Sequence, residues 1–223
     1  MKKRIEKTMI ITFGTQKGGV GKTTLAIAFA NYISGVSKRK IRVFDFDYQK
    51  SFYKKWKEDE LSDLPKLYEV EIAGEQGQLF SDFEHLIDLK QSNDIHIFDL
   101  AGTLDEKYSD LLIYSDLIII PFEYSNVSVK STLVFKNILG MLESEAERVF
   151  IRSRYDKGYG YLNQREMDAE ISKYGMLVES PVFKRNSLQT IDTRQLTYYQ
   201  KDAVQKPFNE IIEYIKTALK ITL

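Results

Sequence analysis

Two lysines, three glycines and two threonines crowd into Lys17-Gly18-Gly19-Val20-Gly21-Lys22-Thr23-Thr24. Ammonium groups neutralise an anion, glycines let backbone N–H groups turn inward around a polyphosphate, and a threonine hydroxyl can ligate a divalent cation. The segment follows the apolar run Met9-Ile10-Ile11-Thr12-Phe13 and leads into Leu25-Ala26-Ile27-Ala28-Phe29-Ala30. Strand, glycine-rich loop and helix in that order add the partial positive charge of a helix N-terminus to the same anion. The spacing therefore predicts a nucleoside triphosphate site, with Lys22 reaching the β- and γ-phosphates and Thr23 on Mg²⁺. A strict G-x-x-x-x-G-K-[ST] pattern needs glycine at position 16, where Gln16 stands. Lys17 exceeds what one cradle requires, which leaves it to act elsewhere, on a second nucleotide.

Three further segments carry carboxylates or core strands at suitable places. Val43-Phe44-Asp45-Phe46-Asp47-Tyr48-Gln49-Lys50-Ser51 follows the first helical stretch, Ile95-His96-Ile97-Phe98-Asp99 is a short apolar strand ending in a carboxylate, and Ser115-Asp116-Leu117-Ile118-Ile119-Ile120-Pro121 is apolar again. Together with Lys17-Gly18-Gly19-Val20-Gly21-Lys22-Thr23, these segments resemble the ParA/MinD/Soj family of deviant Walker A P-loop ATPases, and small ParA partition proteins most. The likeness runs from residue 9 to about 121. It departs from the family at Tyr48, where proline is usual after the second aspartate, and at Ala101-Gly102, where prolines usually follow the Walker B strand.

The resemblance implies a Mg²⁺-dependent ATPase, slow and partner-stimulated. Backbone amides of Gly18, Gly19, Val20, Gly21, Lys22, Thr23 and Thr24 would cradle the phosphates, and Lys22 would neutralise charge on the leaving oxygens. Mg²⁺ keeps several waters, so Thr23 would ligate it directly and Asp99 and Asp45 through water. Asp47 would orient or deprotonate the attacking water. Lys17, the family's signature lysine, would cross to the phosphates of a second subunit, so that ATP is sandwiched in a dimer and hydrolysis loosens it.

Positioning these groups requires strand ends that converge. Apolar runs at 9–13, 41–46, 95–100, 117–121 and 149–152 read as strands, Tyr68-Glu69-Val70-Glu71-Ile72 as a further one, and helical periodicity covers 22–34, 79–90, 130–145, 163–174 and 207–219. The alternation predicts an α/β fold, a doubly wound, mostly parallel sheet with helices on both faces, as in P-loop NTPases. The loops after the first, second and fourth strands, carrying Lys22, Asp47 and Asp99, would then meet at the carboxyl edge. With 223 residues, no linker-like stretch and a first strand beginning near residue 9, a single domain over 1–223 without an N-terminal helix-turn-helix extension is expected. Zero cysteines excludes disulfides and cysteine-held iron–sulfur clusters. Met1-Lys2-Lys3-Arg4 is followed by Glu6 and Lys7 rather than a signal core, so a cytoplasmic, nucleoid-associated location is expected. His85 and His96 have no second histidine or cysteine at i+3 or i+4 and read as structural.

Three functions compete. In the first, the dimer binds DNA nonspecifically and a ParB-like partner stimulates hydrolysis, segregating a plasmid, mobile element or other DNA cargo. Arg148, Arg152, Arg154, Lys157, Lys184, Arg185, Arg194, Lys201 and Lys206 would supply phosphate contacts, although 32 Lys and Arg against 32 Asp and Glu give no global field. Lys184-Arg185-Asn186 resembles an Arg-Asn pair that some members carry near the nucleotide base. In the second, a MinD-like membrane cycle, Phe208, Ile211, Ile212, Ile215, Ala218 and Leu219 form an apolar helix face. Glu210 and Glu213 on the polar side disfavour an anionic membrane, so a membrane partner is not expected. The third is a small-molecule ligase or tyrosine autokinase on the same fold, for which the sequence offers neither an acceptor pocket nor a C-terminal tyrosine cluster.

Overall fold

The computed structural model describes residues 8–72, 83–103 and 105–223. Seven strands form one sheet: β1 (Met9–Phe13), β2 (Ile41–Phe46), β3 (Glu69–Ile72), β4 (Ile95–Leu100), β5 (Leu117–Phe122), β6 (Glu147–Arg152) and β7 (Met176–Leu177). Their order is β3-β2-β4-β1-β5-β6-β7, and every pairing is parallel. All residues of β1, β4 and β5 are buried. That accounts for their near-continuous apolar runs, because a parallel strand covered on both faces has no solvent side to alternate toward.

Helices cover both faces. Met9, Ile11, Phe13, Val43, Ile95 and Ile97 pack into one core with α1 (Lys22–Val36), α2 (Ser51–Glu58) and α8 (Tyr198–Ala218). Ile10, Phe44, Phe46, Phe98 and Ile118 point the other way, toward α3 (Phe83–Lys90), α4 (Ser109–Tyr114) and α5 (Asn126–Met141). Strand period two decides this division. It also puts Asp45 and Asp99 on the α1 side, in register with one another across β2 and β4. β1 lies between β4 and β5, so the chain departs from it in both directions, and the crevice at its carboxyl end is where such sheets take ligands.

Several boundaries differ from the periodicity. The last helix starts at Tyr198 rather than 207, because Thr197 and Gln200 form a reciprocal capping box and Pro207 lies buried inside the helix. Proline suggests a first-turn position, but the cap satisfies the orphan N–H groups nine residues earlier. Helix α5 spans Asn126–Met141 instead of 130–145. It starts where the Ser125 hydroxyl accepts from Ser128 N–H and ends before Glu143, whose φ is 52°. Helix α6 (Gln164–Ile171) is shorter than expected, and β7, α4 and the four-residue α7 (Asn186–Gln189) were not legible as periodic segments. The first part of the 79–90 stretch, residues 79–82, lies outside the described residues, as do Met1-Lys2-Lys3-Arg4, Glu6 and Lys7; for His85 only the backbone, within α3, is described.

The apolar face of α8 is committed to the core. Phe208, Ile211, Ile212 and Ile215 are buried, and the Phe208 ring meets Phe29 edge-on at 5.1 Å and Tyr32 at 5.7 Å. Among the described residues no helix is long and apolar enough to cross a membrane. Trp56, buried on α2, donates its indole N–H to the Tyr68 carbonyl at 3.1 Å and so ties α2 to the start of β3.

His96 is wholly buried, with Nε2 2.9 Å from Ser92 Oγ. Burial, aided by the Arg42 charge, lowers its pKa from 6.5 to about 4. The unfolded chain therefore binds the extra proton between those values: the stability His96 contributes is complete above pH 6.5 and is lost as pH falls through about 4. Asp45, raised to about 6 by burial, acts with opposite sign in the same window, so wild type alone does not isolate either group. Denaturant unfolding of His96→Gln against wild type from pH 7 to 4 is expected to show the variant gaining about 3 kcal/mol relative to wild type as pH falls. Parallel curves would mean that His96 titrates normally.

Candidate active site

The glycine-rich loop begins at Gly14, whose N–H bonds Ile119 O at 3.1 Å. A Cβ there would come within 2.7 Å of the Phe135 ring, so α5 packs directly on the loop's first residue. Gly19 and Gly21 have φ of 81° and 80°, in the left-handed region that favours glycine. Gly21 precedes the first residue of α1 without any side-chain cap, leaving the N–H groups of that first turn for a ligand.

Below the loop lies a buried charge cluster. Lys22 Nζ is 2.5 Å from Asp99 Oδ1, with side chains 7% and 0% exposed. Asp99 Oδ2 is buried without a hydrogen-bond partner. Asp45, also fully buried, accepts from Asp47 N–H at Oδ1 and from Tyr53 N–H at Oδ2, each at 2.9 Å. Burial pushes its pKa up to about 6; the Tyr53 N–H opposes the shift and the neighbouring Asp99 adds to it. Asp47 stands half-buried one turn of chain further, where Oδ1 accepts from Gln49 N–H at 2.9 Å and its carbonyl accepts from Lys50 N–H at 2.8 Å.

Lys22 and Asp47 line a cleft of about 730 Å³ at the carboxyl edge of the sheet, within the range of small-molecule sites, while Asp45 and Asp99 are buried. Lys17, Lys22, Thr23, Thr24 and Asp47 all face it, with Val182, Phe183 and Leu188 at an apolar end beside Lys184 and Arg185. The sequence-derived residues are thus brought together, apart from the head of Lys17. Its ammonium lies 3.3 Å from Ser125 Oγ and 3.8 Å from Glu123 Oε2, on the β5 side. Gly102 approaches the loop so closely that a Cβ would sit 3.1 Å from Gly18 N.

Two residues that the sequence did not assign to this site complete the loop's support. Arg154 donates to Gly19 O at 2.6 Å, and its Nε lies 3.4 Å from Glu123 Oε1. Glu123 therefore links Lys17 and Arg154, one residue beyond β5. No local signal announces either, since the contact to Gly19 spans 135 residues of chain.

The basic set expected to meet DNA is divided by the structure. Arg194 is 3% exposed, bonds the carbonyls of Trp56 and Asp59, and lies over the Trp56 ring. Arg152 pairs with Asp168 at 3.0 Å and donates to the carbonyls of Val178 and Glu179. Arg148 donates to Ser144 O. Arg194 and Arg152 are structural and are withdrawn from the set, because burial keeps a phosphate from Arg194 and the three guanidinium nitrogens of Arg152 are already bonded within the protein. Arg154, Lys157, Lys184, Arg185, Lys201 and Lys206 are exposed.

The donors present fit a divalent cation bound together with phosphate. Asp99 Oδ2 is an orphaned buried oxygen, Asp45 is its partner in register across β2 and β4, and Thr23 lines the cleft. Among the described residues no three His, Cys, Asp or Glu side chains gather into a metal cluster. A small set of this kind is what Mg²⁺ uses when waters and substrate oxygens fill most of its shell.

The VirC1 protein family matches this chain over residues 8–220. No curated protein matches the sequence. Among solved structures, the fold is similar to a putative plasmid partition protein from Borrelia burgdorferi B31 bound to AMPPNP, at 19% identity over 94% of this chain and 99% of that one with a TM-score of 0.73. It is similar also to the MinD cell division protein of Aquifex aeolicus, at 16% identity, 92% and 97% coverage and a TM-score of 0.69. A pNOB8 ParA bound to nonspecific DNA matches at 15% identity, 94% and 99% coverage and 0.63. With the parallel sheet, the lysine-bearing glycine loop and the carboxylates at its edge, the family match leads to one conclusion: the chain belongs to the VirC1 protein family, within the ParA/MinD/Soj class of deviant Walker A P-loop ATPases.

Proposed function

We propose that this protein binds ATP with Mg²⁺ in the cleft, hydrolyses it to ADP and phosphate, and uses the cycle to control an ATP-sandwich homodimer that binds DNA nonspecifically and positions a DNA cargo. The observation that carries the reading is the buried Lys22–Asp99 pair beneath the glycine loop. A lysine hidden from water beside a carboxylate is held ready for an incoming polyphosphate, whose negative charge competes for the ammonium. Backbone amides from Gly18 to Thr24 bind the phosphates, and the apolar end at Val182, Phe183 and Leu188 suits a base. Thr23 would hold Mg²⁺ directly, with Asp99 and Asp45 through water; the ion, when bound, neutralises charge on the phosphate oxygens. Asp47 orients or deprotonates the attacking water. Lys17 reaches the phosphates of a second copy, leaving Glu123 and Ser125 to do so, and acts there as a charge supplied only on docking.

Exposed Lys184, Arg185 and Lys201 are the DNA-facing candidates on this reading. Arg185 lies 3.9 Å from Asp202, which brings it beside the first turn of α8 and Lys201. The DNA-bound ParA of the same fold supports a DNA matrix, and the buried apolar face of α8 disfavours the membrane alternative. A ParB-like partner would stimulate turnover in the cytoplasm, at the nucleoid.

Breaking the buried pair has a thermodynamic signature. Lys22→Ala and Asp99→Ala are each expected to destabilise the nucleotide-free protein by about 3–5 kcal/mol, with the double variant costing less than the sum because neither charge is then left alone. Additive losses in denaturant unfolding would mean that the two groups do not pair. Lys17→Ala is expected to abolish the ATP-dependent dimer in analytical ultracentrifugation while ATP still binds the monomer; a dimer that persists takes Lys17 out of the interface. Duplex-DNA binding with ATP, with ADP and without nucleotide, across a salt series, tests the function as a whole. Salt-sensitive binding confined to ATP is expected, with Lys201→Glu flattening the salt slope by about one unit. Binding in no state would remove DNA as the matrix.

A further inference from the structure

Asp47 is gripped from both sides by one short segment of chain. Upstream, the Phe46 carbonyl accepts from the Tyr108 hydroxyl at 3.1 Å. Downstream, the Tyr48 hydroxyl donates to Asp105 Oδ2 at 2.7 Å. Lys107 Nζ lies 3.8 Å from the Tyr48 ring centroid and 3.5 Å from Asp105 Oδ2. Both tyrosines are thus held by the 3-10 turn Glu106–Tyr108 and its cap Asp105, which accepts from Lys107 N–H. Tyr108 is 1% exposed and Tyr48 67%, so one grip is an internal anchor and the other works at the rim of the cleft.

The bonds within the loop shape it and join Asp47 to Asp45 of β2. Asp47 N–H to Asp45, Gln49 N–H to Asp47 Oδ1 and Lys50 N–H to Asp47 O fold residues 45–50 into a turn. Among the described residues, the Tyr108 and Tyr48 contacts tie both neighbours of Asp47 to the segment following β4. Proline at position 48 would stiffen the turn through its own ring. Tyrosine lacks that constraint and holds its place only through partners, which Asp105 and Lys107 supply. The Tyr48 hydroxyl and the Lys107 N–H in turn keep the Asp105 carboxyl below its ordinary pKa, consistent with a standing acceptor.

We propose that Tyr48 and Tyr108 are positioning residues for ATP hydrolysis, clamping the turn so that the Asp47 carboxylate meets the attacking water, with Asp105 and Lys107 as the clamp's anchor. The inference rests on the hydrolytic role proposed above for Asp47. A 1 Å displacement of a catalytic carboxylate lowers turnover without changing how ATP is held, so the clamp acts on kcat.

Tyr48→Phe keeps the ring beneath Lys107 and removes only the hydroxyl. Its kcat for ATP is expected to fall about 3- to 10-fold, as for loss of one hydrogen bond, with KM changed less than about twofold. Asp105→Ala should lose as much, Asp105→Asn, which keeps an acceptor oxygen, should recover most of that loss, and Tyr48→Phe with Asp105→Ala should be no worse than either alone. Unchanged kcat in Tyr48→Phe overturns the clamp, and so does a raised KM at constant kcat, which would make Tyr48 a nucleotide contact. Wild type that binds ATP without turning it over would remove the hydrolytic reading instead. The clamp is then decided by hydrogen exchange at the Gln49 and Lys50 amides: faster exchange in Tyr48→Phe retains it, and equal exchange overturns it.

Discussion

A lysine and two carboxylates buried under a loop of bare peptide must balance one another, and much of the site depends on that balance. Lys22 and Asp99 neutralise each other at 2.5 Å, which leaves Asp45 as the surplus charge. Its two backbone N–H donors offset part of the desolvation, and its pKa still rises to about 6. Surplus negative charge beside an orphaned carboxylate oxygen favours a cation there, while the glycine amides and Lys22 favour an anion above. Opposite preferences a few ångströms apart suit a metal–polyphosphate complex better than either component alone.

The sheet makes this arrangement possible. Because β2, β4 and β1 are parallel neighbours, their carboxyl ends open on one edge, and the register pairs Asp45 with Asp99 and Phe13 with Asp99. A one-residue slip of β2 or of β4 would turn its carboxylate to the α3–α4 face, where Phe44, Phe98 and Leu100 now pack. Fully buried apolar strands oppose such a slip by their own packing. Fold and site are therefore fixed by the same side-chain alternation.

That is why the catalytic candidates were legible in the sequence. Asp45, Asp47 and Asp99 each stand at or just past the end of an apolar strand, and Lys22 opens α1 after the glycine-rich loop that follows β1; a strand end and a glycine-rich loop are both local signals. Arg154 and Glu123 stand near strand ends too, but their partners are Gly19 and Lys17, more than a hundred residues away in sequence, so their roles emerge only when β5 and β6 are aligned beside β1. The basic residues failed for a related reason. Charge counts treat every arginine as solvated, yet a guanidinium has five donors and can be buried against the carbonyls of a helix end, as Arg194 is against Trp56 and Asp59. The start of α8 is set by Thr197 with Gln200 three residues on, a stronger signal than Pro207, which lies inside the helix.

The two departures from the family pattern are linked in space. Proline is replaced by Tyr48 after β2 and by Ala101-Gly102 after β4, and both loops border the cleft. Gly102 lets its loop pack within van der Waals contact of the Gly18 backbone, a distance that a side chain would enlarge. The same stretch of chain continues to Asp105, which holds Tyr48. Rigidity that proline would supply to each loop separately is thus supplied here by contacts between them, and the β4 loop bridges the phosphate loop on one side and the Asp47 turn on the other. Stiffness built from contacts is cooperative: loosening one loop loosens the other. It is also reversible, since a hydrogen bond to an exposed tyrosine opens at small cost, whereas the fixed φ of a proline does not.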